Sequence, residues 1–442
     1  MTLFGTDGIR GEAGRPPLDE TTVTRVGAAL ARGATHAPRV VIGRDTRESG
    51  EGFGAARACG LVAGGGAVNS LGVLPRPAVA YLARSDGFDL GVVISASHNP
   101  YHDNGIKVFS GAGEKFTPAQ EREIERLVGD PSFVVESGPG VDVASGAPLV
   151  THYVEHLRRI LDHAGPLAGA RLVVDCAHGA TTTVAPALFR DLGFDVQTIG
   201  VSPDGRNINA GCGSTAMESL QAAVVASGAR RGVAFDGDGD RALFVDHLGR
   251  RVDGDAVMLV CTDLLRREGA LDGNAVVATV MSNIGLELAL KERGVGLVRC
   301  AVGDKYVMEE MLKRGLALGG EQSGHVIFAR HLFTGDGIAT ALQVLRAIIT
   351  TGEELATLAA ALTSYPQVLV NVRVKVRTDV STVPAVANAM QAVEARLAGQ
   401  GRLLVRYSGT EPLLRIMLEG KDQGEISAWA NEIADAVRAT LA

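Results

Sequence analysis

The chain has 442 residues, a hydrophobic fraction of 46% and a formal net charge of −7. This length predicts roughly three domains, with enough apolar residues for several buried cores. The acidic balance, without a long Lys or Arg run, argues against a nucleic-acid-binding surface. No apolar run is long enough to span a bilayer, and no signal-peptide pattern is evident, which predicts no membrane partner. Five cysteines without a C-x-x-C pair indicate reduced thiols in a cytoplasmic protein.

Short apolar strands alternate with helical stretches along most of the chain. The predicted strands are 40–42, 90–94, 172–174, 276–280 and 297–300, and the predicted helices include 118–128 and 256–268. This alternation predicts an α/β fold with mostly parallel sheets covered by helices. A longer alternating strand over 368–376, with helices near 383–397 and 423–441, predicts a final unit of its own. Turn-forming residues at 137–140 and 145–146 predict a linker.

A polar loop follows the strand predicted at residues 90–94. It contains Ser97-His98-Asn99-Pro100, and the Asn-Pro pair ends the strand. Open α/β sheets place ligands at the carboxyl ends of strands, so we expect Ser97 to be exposed there and able to carry a covalent group. A solvated turn serine explains this segment alone equally well. Serine hydrolysis is disfavoured, because Ser97 lacks a G-x-S-x-G turn and His98 is its direct neighbour.

Three aspartates alternate with glycines in Asp236-Gly-Asp238-Gly-Asp240, between apolar runs that predict two short strands. Because glycine lets the backbone turn tightly, three carboxylates can surround one hard divalent cation. A calcium loop of the EF-hand type also begins D-x-D-x-D, but it needs glycine at position six and glutamate at position twelve. Arg241 and His247 occupy those positions. The segment predicts a different divalent-cation site, with an acidic surface turn as the simpler alternative.

A third polar segment, GEQSGH at residues 320–325, follows the apolar run 316–318. Its carboxylate, hydroxyl and imidazole groups belong to Glu321, Ser323 and His325. These groups suit hydrogen bonding to neighbouring hydroxyls of a sugar ring. For His325 alone, an ordinary loop histidine is the simpler interpretation.

A fourth polar segment, RYSGTEP at residues 406–412, lies between strand-like runs at 403–405 and 413–418. It offers two hydroxyls, a glycine amide open to close approach, and two guanidinium groups when Arg415 is included. Such a set forms a cradle for phosphate. Ser-Gly-Thr is also a common turn composition, so this segment is a moderate signal by itself.

The four segments occur in the order SASHNP, DGDGDR, GEQSGH and RYSGTEP, and this set resembles the α-D-phosphohexomutase superfamily. The opening FGTDGIRG at 4–11 and NGIK at 104–107 extend the resemblance over nearly the whole chain. Further details resemble the branch that acts on glucosamine phosphates: NIN at 207–209, CGST at 212–215, VGDKYV at 302–307 and TGDG at 334–337. His178 departs from the pattern, since the superfamily usually has Asn there.

The resemblance implies an α/β architecture of four domains around a central cleft. Three similar mixed α/β sheet domains, at 1–145, 146–252 and 253–364, would precede a smaller, different α+β domain at 365–442. One polar segment would then fall in each domain and face the cleft. Dimers form through the first domain in the bacterial branch of this superfamily, so a homodimer is a further expectation.

The resemblance implies an enzyme that interconverts glucosamine 6-phosphate and glucosamine 1-phosphate and supplies amino-sugar nucleotide and cell-wall precursor synthesis. Ser97 would carry a phosphoryl group and hand it to the sugar, giving a 1,6-bisphosphate that turns and returns its other phosphate. One Mg²⁺ would be held against the Ser97 phosphoryl group by three carboxylates, those of Asp236, Asp238 and Asp240.

The remaining site residues take their roles from the same resemblance. Proton transfer and transition-state charge would involve Lys107, His325 and Arg10, with Arg241 supporting the charge balance. The sugar would be bound by Glu321, Ser323 and His325. The phosphate already on the substrate would be held by Arg406, Ser408, Gly409, Thr410 and Arg415.

Other functions stay open at this point. The chain could be a phosphomannomutase or phosphoglucomutase, which uses the same chemistry on another hexose phosphate. It could be a metal-dependent sugar phosphatase, in which water takes the phosphoryl group from Ser97. A non-catalytic sugar-phosphate-binding protein is the weakest alternative, because Ser97 and the three aspartates are all present. Nucleotide use is not indicated, since neither a Walker A segment nor a full G-x-G-x-x-G occurs.

Overall fold

A computed structural model of the protein describes residues 3–5, 7–135, 143–408 and 412–441. The linker predicted at 137–140 lies outside the described residues. The chain forms two compact units: residues 1–281 with 295–361, and residues 282–294 with 362–442. Within the described part of the chain, no helix is both long and apolar enough to cross a membrane.

The helices lie close to the positions that the sequence predicts. The predictions at 118–128, 256–268, 383–397 and 423–441 correspond to helices whose ends differ by at most two residues. In chain order the helices are α1 (Glu20–Arg32), α2 (Ser49–Ala63), α3 (Arg76–Ser85), α4 (Pro118–Gly129), α5 (Val150–Arg158), α6 (Ala185–Asp191), α7 (Glu218–Ser227), α8 (Gly254–Arg267), α9 (Ile284–Glu292), α10 (Asp304–Arg314), α11 (Gly337–Thr351), α12 (Leu355–Ala360), α13 (Pro384–Leu397) and α14 (Gln423–Leu441).

The larger unit begins with a mixed sheet. Its strands are β1 (Ile9–Glu12), β2 (Arg39–Arg44), β3 (Ala67–Val73), β4 (Leu90–Ile94), β5 (Asp103–Ser110) and β6 (Ala144–Ser145). Their order is β1-β5-β4-β2-β3-β6. Strands β4, β2, β3 and β6 are mutually parallel, whereas β5 is antiparallel to both β4 and β1. Apolar side chains such as Val26, Leu61 and Val92 form the buried core between this sheet and its helices.

The second sheet consists of β7 (Arg171–Asp175), β8 (Asp195–Ile199), β9 (Arg231–Phe235), β10 (Ala242–Asp246) and β11 (Arg251–Val252). Its order is β11-β10-β9-β7-β8, and β7 pairs in parallel with both β8 and β9. Strand β10 is antiparallel to β9 and to β11. The two strands predicted around the DGDGDR segment are therefore an antiparallel pair.

The third sheet consists of β12 (Ala275–Thr279), β13 (Gly296–Cys300), β14 (Leu318–Gly320) and β15 (Val326–Phe328). Its order is β13-β12-β14-β15, with β15 antiparallel to the others. The same arrangement recurs in all three sheets. A parallel strand turns back into an antiparallel neighbour, from β4 to β5, β9 to β10 and β14 to β15, and each turn carries one of the polar segments.

The smaller unit contains a three-stranded antiparallel sheet of β16 (Gln367–Arg373), β17 (Arg402–Tyr407) and β18 (Leu413–Glu419), in the order β16-β18-β17. The strand predicted to reach residue 376 ends at Arg373. Its register pairs Arg373 with Leu413, the first residue of β18, so the neighbouring strand extends no further. Helix α9 belongs to this unit, and the amide of Ile284 donates to Glu419 Oε2 at 3.1 Å. Three mixed α/β sheets and a different C-terminal sheet confirm the predicted fold class.

Candidate active site

Ser97 follows β4 in a tightly held loop. Its backbone has a φ of 53°, a left-handed conformation that non-glycine residues seldom adopt and that is often found at functional sites. The Ser97 amide donates to Ser95 Oγ at 2.9 Å, and its carbonyl accepts from Asn209 Nδ2 at 3.0 Å. The side-chain hydroxyl donates to Asp236 Oδ2. These contacts hold the hydroxyl in one place before any substrate arrives.

The expected exposure of Ser97 is wrong, because the residue is 2% exposed. It nevertheless lines a cavity of about 490 Å³, together with Arg10, Arg76, Arg241 and His325. The reason for its burial is the turn between β9 and β10, which lies over the Ser97 loop. A Cβ atom on Gly237 would lie 2.5 Å from the Ser97 carbonyl oxygen, so only glycine permits this close approach.

The three aspartates of the DGDGDR turn converge as predicted. Each is at most 3% exposed, and one carboxylate oxygen from each lies within 4.8 Å of the others. Asp236 Oδ1 accepts from the Arg241 amide at 3.1 Å. Burial, and next the Asp240 and Asp238 carboxylates, raise the pKa of Asp236 well above its usual value. Bringing three carboxylates together is costly unless a cation neutralises them.

The donor set fits a hard divalent cation. Asp238 Oδ1 and Asp240 Oδ1 are buried and accept no hydrogen bond from the described residues. Buried oxygens without a partner are rare in folded proteins, and carboxylate oxygens are the ligands that Mg²⁺ and similar cations prefer. The acidic cluster therefore has the donor set of a divalent-cation site.

Lys107 supplies positive charge on the other side of this cluster. Its Nζ lies 2.7 Å from Asp238 Oδ2 and 3.0 Å from Asp7 Oδ2, and the residue is 2% exposed. Burial lowers the pKa of Lys107, but the Asp238 and Asp7 carboxylates outweigh it and raise that pKa above its usual value. The amino group is therefore protonated at neutral pH, a fixed charge next to the metal ligands.

A buried arginine that the sequence motifs did not predict lies at the centre of the site. Arg76, the first residue of α3, is 1% exposed and forms an ion pair with Asp240. It also bonds Asp304 Oδ2 at 2.9 Å and Thr334 Oγ1 at 3.1 Å. Proline on both sides of Arg76 marks the start of a helix. The sequence feature that could have revealed Arg76 is a charged side chain at the first position of a largely apolar helix.

Asp7, Lys115 and Asp304 complete this charge network. Lys115 Nζ lies 2.5 Å from Asp7 Oδ1 and 2.6 Å from Asp304 Oδ1. Asp7 and Asp304 lie within the FGTDGIRG and VGDKYV segments, which the resemblance already singled out. Their partners, however, come from other parts of the chain. Arg10, a predicted site residue, joins the network through Asp7 Oδ2, 2.5 Å from its Nη2, and lines the cavity.

His325, the last residue of the GEQSGH segment, lies against the same cluster. It is 2% exposed, its Nε2 accepts from the Gly335 amide at 3.2 Å, and Asp304 Oδ2 lies 3.4 Å from that atom. Its Nδ1 has no hydrogen-bond partner among the described residues. His325 therefore reaches the cavity wall with one ring nitrogen still available to a ligand.

Glu321 and Ser323 are less buried than the aspartates. Glu321 Oε1 accepts from the Gly303 amide at 3.2 Å, and the residue lines the cavity that contains Ser97. Ser323 lines an adjoining cavity that also includes Glu321 and Arg241. The guanidinium of Arg241 lies 3.9 Å from Asp240 Oδ1. The structure thus brings the Ser97, aspartate and Glu321 segments together within the larger unit.

The predicted phosphate-binding segment belongs to the smaller unit. Arg406 in β17 is paired in register with Arg415 in β18, and Arg415 Nη2 donates to Ser408 Oγ at 3.3 Å. Ser408 is 2% exposed, and its carbonyl oxygen accepts from Arg377 Nη2 at 2.8 Å. Gly409 and Thr410, also predicted here, lie outside the described residues.

The structure also explains two further positions in the sequence motifs, His178 and Cys212. His178, the departure from the superfamily pattern, has a φ of 49°, a conformation in which Asn and His are both tolerated better than most residues. Cys212 is buried, and burial, followed by Asp175, raises the pKa of its thiol to about 12. The Cys212 thiol is therefore protonated, and a poor nucleophile, at neutral pH.

This geometry is that of a phosphotransferase: a buried serine hydroxyl, a metal-binding carboxylate cluster and fixed positive charges in one cavity. Four family models match the chain, described as phosphoglucomutase/phosphomannomutase alpha/beta/alpha domains I, II and III and the C-terminal domain. They cover residues 1–134, 151–249, 253–365 and 369–436. The chain belongs to the phosphoglucomutase/phosphomannomutase family of phosphohexomutase enzymes.

Among curated proteins of this family, the chain is similar over nearly its full length to enzymes named phosphoglucosamine mutase. Phosphoglucosamine mutase from Solibacter usitatus (strain Ellin6076) is 48% identical over 443 residues, covering 99% of this chain and 98% of the relative. Phosphoglucosamine mutase from Pseudomonas putida strain KT2440 is 49% identical over 437 residues, covering 98% of each. Both relatives match this chain from end to end, so the similarity spans all four polar segments.

Solved structures share the fold. A phosphoglucomutase/phosphomannomutase family protein from Burkholderia thailandensis superposes with a TM-score of 0.80 at 24% identity, covering 99% of this chain and 97% of that one. N-acetylphosphoglucosamine mutase from Aspergillus fumigatus, in complex with GlcNAc-6P and magnesium, gives a TM-score of 0.67 at 19% identity, covering 99% and 95%. At these identities the likeness concerns the fold.

Proposed function

We propose that this enzyme is a phosphoglucosamine mutase, which interconverts glucosamine 6-phosphate and glucosamine 1-phosphate. The observation that carries the proposal is the Ser97 hydroxyl, buried against Asp236 in a cavity whose other wall includes Glu321 and His325. The full-length similarity to curated phosphoglucosamine mutases supports the choice of sugar.

The reaction begins with a phosphoryl group on Ser97. The sugar hydroxyl attacks phosphorus, the bond from phosphorus to Ser97 Oγ breaks, and a 1,6-bisphosphate forms. The sugar then turns, and the Ser97 hydroxyl attacks the other phosphate, which restores the phosphoserine and releases the product. No net phosphate is consumed. Bisphosphate is thus both intermediate and activator.

The chain's own residues contribute mainly position and charge, which is what phosphoryl transfer requires. Asp236, Asp238 and Asp240 would hold one Mg²⁺, which when bound neutralises charge on the transferring phosphoryl group. Lys107, held protonated by its carboxylate neighbours, serves as a fixed charge better than as a base. Arg10 and Arg241 would face the phosphoryl oxygens from the cavity wall.

His325 and Glu321 would act on the sugar. His325 Nδ1 is free of protein partners among the described residues, so it would exchange a proton with the reacting hydroxyl. Glu321 and Ser323 would bind ring substituents, and the Glu321 carboxylate would favour an ammonium group. In the smaller unit, Arg406, Ser408, Gly409, Thr410 and Arg415 would hold the non-reacting phosphate, which the charge and hydrogen-bonding capacity of that loop support.

Three further expectations stay predictions within this proposal. The first is a division into four domains at 1–145, 146–252, 253–364 and 365–442. The second is a homodimer formed through the first domain. The third is a cytoplasmic location, which the five free cysteines support.

The test is a substrate panel. Glucosamine, glucose, mannose and N-acetylglucosamine 6-phosphates are each assayed with the matching 1,6-bisphosphate, and kcat/KM values are compared. We expect glucosamine 6-phosphate to exceed the others by roughly ten- to two-hundredfold, the discrimination that one altered hydrogen bond provides. A higher kcat/KM for glucose or mannose 6-phosphate would instead assign the enzyme to phosphoglucomutases or phosphomannomutases. Free phosphate released faster than isomerised sugar would indicate a phosphatase.

A further inference from the structure

A second cavity adjoins the one that contains Ser97 within the larger unit. We call it the second lobe; it measures about 530 Å³ and is lined by residues including Arg241, Arg251, Asp253, Val302, Glu321 and Ser323. The Asp253 carboxylate already accepts from the Ala256 amide at 3.2 Å and from Gln322 Nε2 at 3.2 Å. Arg241, Val302 and Glu321 line both cavities. The two cavities therefore adjoin each other along these three side chains.

Positive charge in the second lobe is available to a ligand. Arg251, in β11, is exposed and has no carboxylate within ion-pairing distance among the described residues. Its sequence neighbour Arg250 differs, because its guanidinium pairs with Asp246 Oδ2 at 2.7 Å. Arg251 is thus an unpaired guanidinium on the wall of a cavity, the group best suited to bind a phosphate.

Neutral donors accompany this charge. Ser323 Oγ is buried and has no hydrogen-bond partner in the described part of the chain, and the same holds for Arg241 Nε. Buried polar atoms normally have partners, so these two atoms on residues that line the lobe leave hydrogen-bonding capacity for a polar ligand. A phosphate oxygen accepts from hydroxyl and guanidinium donors alike. During the turn it would take the place at Ser323 Oγ that a ring hydroxyl has while the substrate is bound in the proposed function.

We propose that the second lobe holds one phosphate of the hexose 1,6-bisphosphate while this intermediate turns, and that Arg251 retains it. The proposal rests on the proposed function. During the turn neither phosphate is attached to Ser97, and the bisphosphate is strongly anionic inside a protein with a net charge of −7. Local cations must therefore prevent its escape into solvent. Arg251 is a binding residue for the intermediate and takes no part in bond making.

The experiment follows a labelled phosphoryl group through one turnover. Ser97 is loaded with radiolabelled phosphate from glucose 1,6-bisphosphate, and the purified phosphoenzyme is mixed with excess unlabelled glucosamine 6-phosphate. Retained intermediate delivers the label to glucosamine 1-phosphate, whereas escaped intermediate leaves it in free bisphosphate. The ratio of free labelled bisphosphate to labelled glucosamine 1-phosphate measures escape.

For Arg251→Gln we expect this ratio to rise about five- to twentyfold, the effect of one partly exposed charge-assisted hydrogen bond. Arg251→Lys should restore part of the retention, and the matched control Arg250→Gln should behave as the parent enzyme. Equal ratios for Arg251→Gln and Arg250→Gln would overturn the proposal. A parent enzyme that transfers no label to glucosamine 1-phosphate, while remaining active on another hexose phosphate, would contradict the proposed function instead.

Discussion

The two ends of the Ser97 cavity are built differently. At the phosphoryl end, formed by Ser97, Lys107 and the three aspartates of the DGDGDR turn, every side chain is at most 3% exposed. At the other end Glu321 lines the cavity where it meets the second lobe, which Gln322 and Ser323 also line, and we call this the sugar end after the proposed function. These three side chains are half-buried, and Ser323 Oγ has no hydrogen-bond partner among the described residues. The first end is fixed in advance by its own contacts, whereas the second leaves hydrogen-bonding capacity for a ligand.

We infer from this difference that phosphoryl transfer and substrate specificity depend on different parts of the cavity. Phosphoryl transfer depends on charges that are already in place, since preorganised groups cost no reorganisation during the reaction. Selection among hexoses depends on a few hydrogen bonds at ring substituents, each of modest free energy. Changes at the phosphoryl end should therefore reduce activity on every sugar, and changes at the sugar end should alter preference.

Replacing the serine breaks the phosphoryl end completely. Ser97→Ala removes the atom that carries the phosphoryl group in the proposed mechanism, so we expect activity to fall roughly ten-thousandfold or more. Intact-mass measurement should find a phosphorylated fraction in the parent and none in the variant. The exposed Ser85→Ala is the control and should keep both activity and phosphorylation. An active variant with phosphate on another residue would refute the role of Ser97.

Removing one carboxylate of the acidic cluster should have the next largest effect. Asp238→Asn takes one carboxylate from the cluster, and we expect activity to fall roughly a hundredfold or more. The affinity for Mg²⁺ should also fall, so that a higher Mg²⁺ concentration is needed to reach the remaining activity. The measurement is a Mg²⁺ titration after treatment with EDTA. The control Asp195→Asn changes an exposed carboxylate that pairs with Arg171 and should match the parent. A Mg²⁺ dependence identical to the parent's would contradict the metal assignment.

A buried charge without hydrogen-bond partners lowers the stability of the folded protein, so its removal should be stabilising. Arg57 in α2 is 0% exposed, and its three guanidinium nitrogens have no hydrogen-bond partner among the described residues. Burial lowers the pKa of Arg57 to about 9. The unfolded chain therefore binds more protons between about pH 9 and its ordinary pKa, so stability rises with pH in that window and the full cost applies at neutral pH.

Arg57→Met should remove this cost and raise the free energy of unfolding by about 1–3 kcal/mol at neutral pH, with activity unchanged. Denaturant unfolding measures the change. Arg47→Met is the matched control, since Arg47 is equally buried but pairs with Asp45 and donates to the carbonyl of Asn99. That variant should lose stability and activity. A less stable Arg57→Met protein would mean that the guanidinium has a stabilising partner.

The sequence predicted the parts of this site that depend on local pattern. Apolar runs ended by glycine and small polar residues located the turns after β4, β9 and β14, and the spacing of the aspartates indicated a metal site. The burial of Ser97 was not predictable, because it results from the approach of Gly237, 140 residues further along the chain. Arg76 was missed for the same reason, since its partners Asp240 and Asp304 are 164 and 228 residues away.

The most direct test compares one variant from the phosphoryl end with one from the sugar end, because only the second should change which sugar the enzyme prefers. The quantity is the ratio of kcat/KM for glucosamine 6-phosphate to kcat/KM for glucose 6-phosphate, measured for the parent, Asp238→Asn and Glu321→Gln. The amide in Glu321→Gln keeps an oxygen for the Gly303 amide but loses the negative charge. We expect the ratio to stay within about twofold in Asp238→Asn and to fall about tenfold in Glu321→Gln. A ratio that changes equally in both variants, or only in Asp238→Asn, would contradict the account.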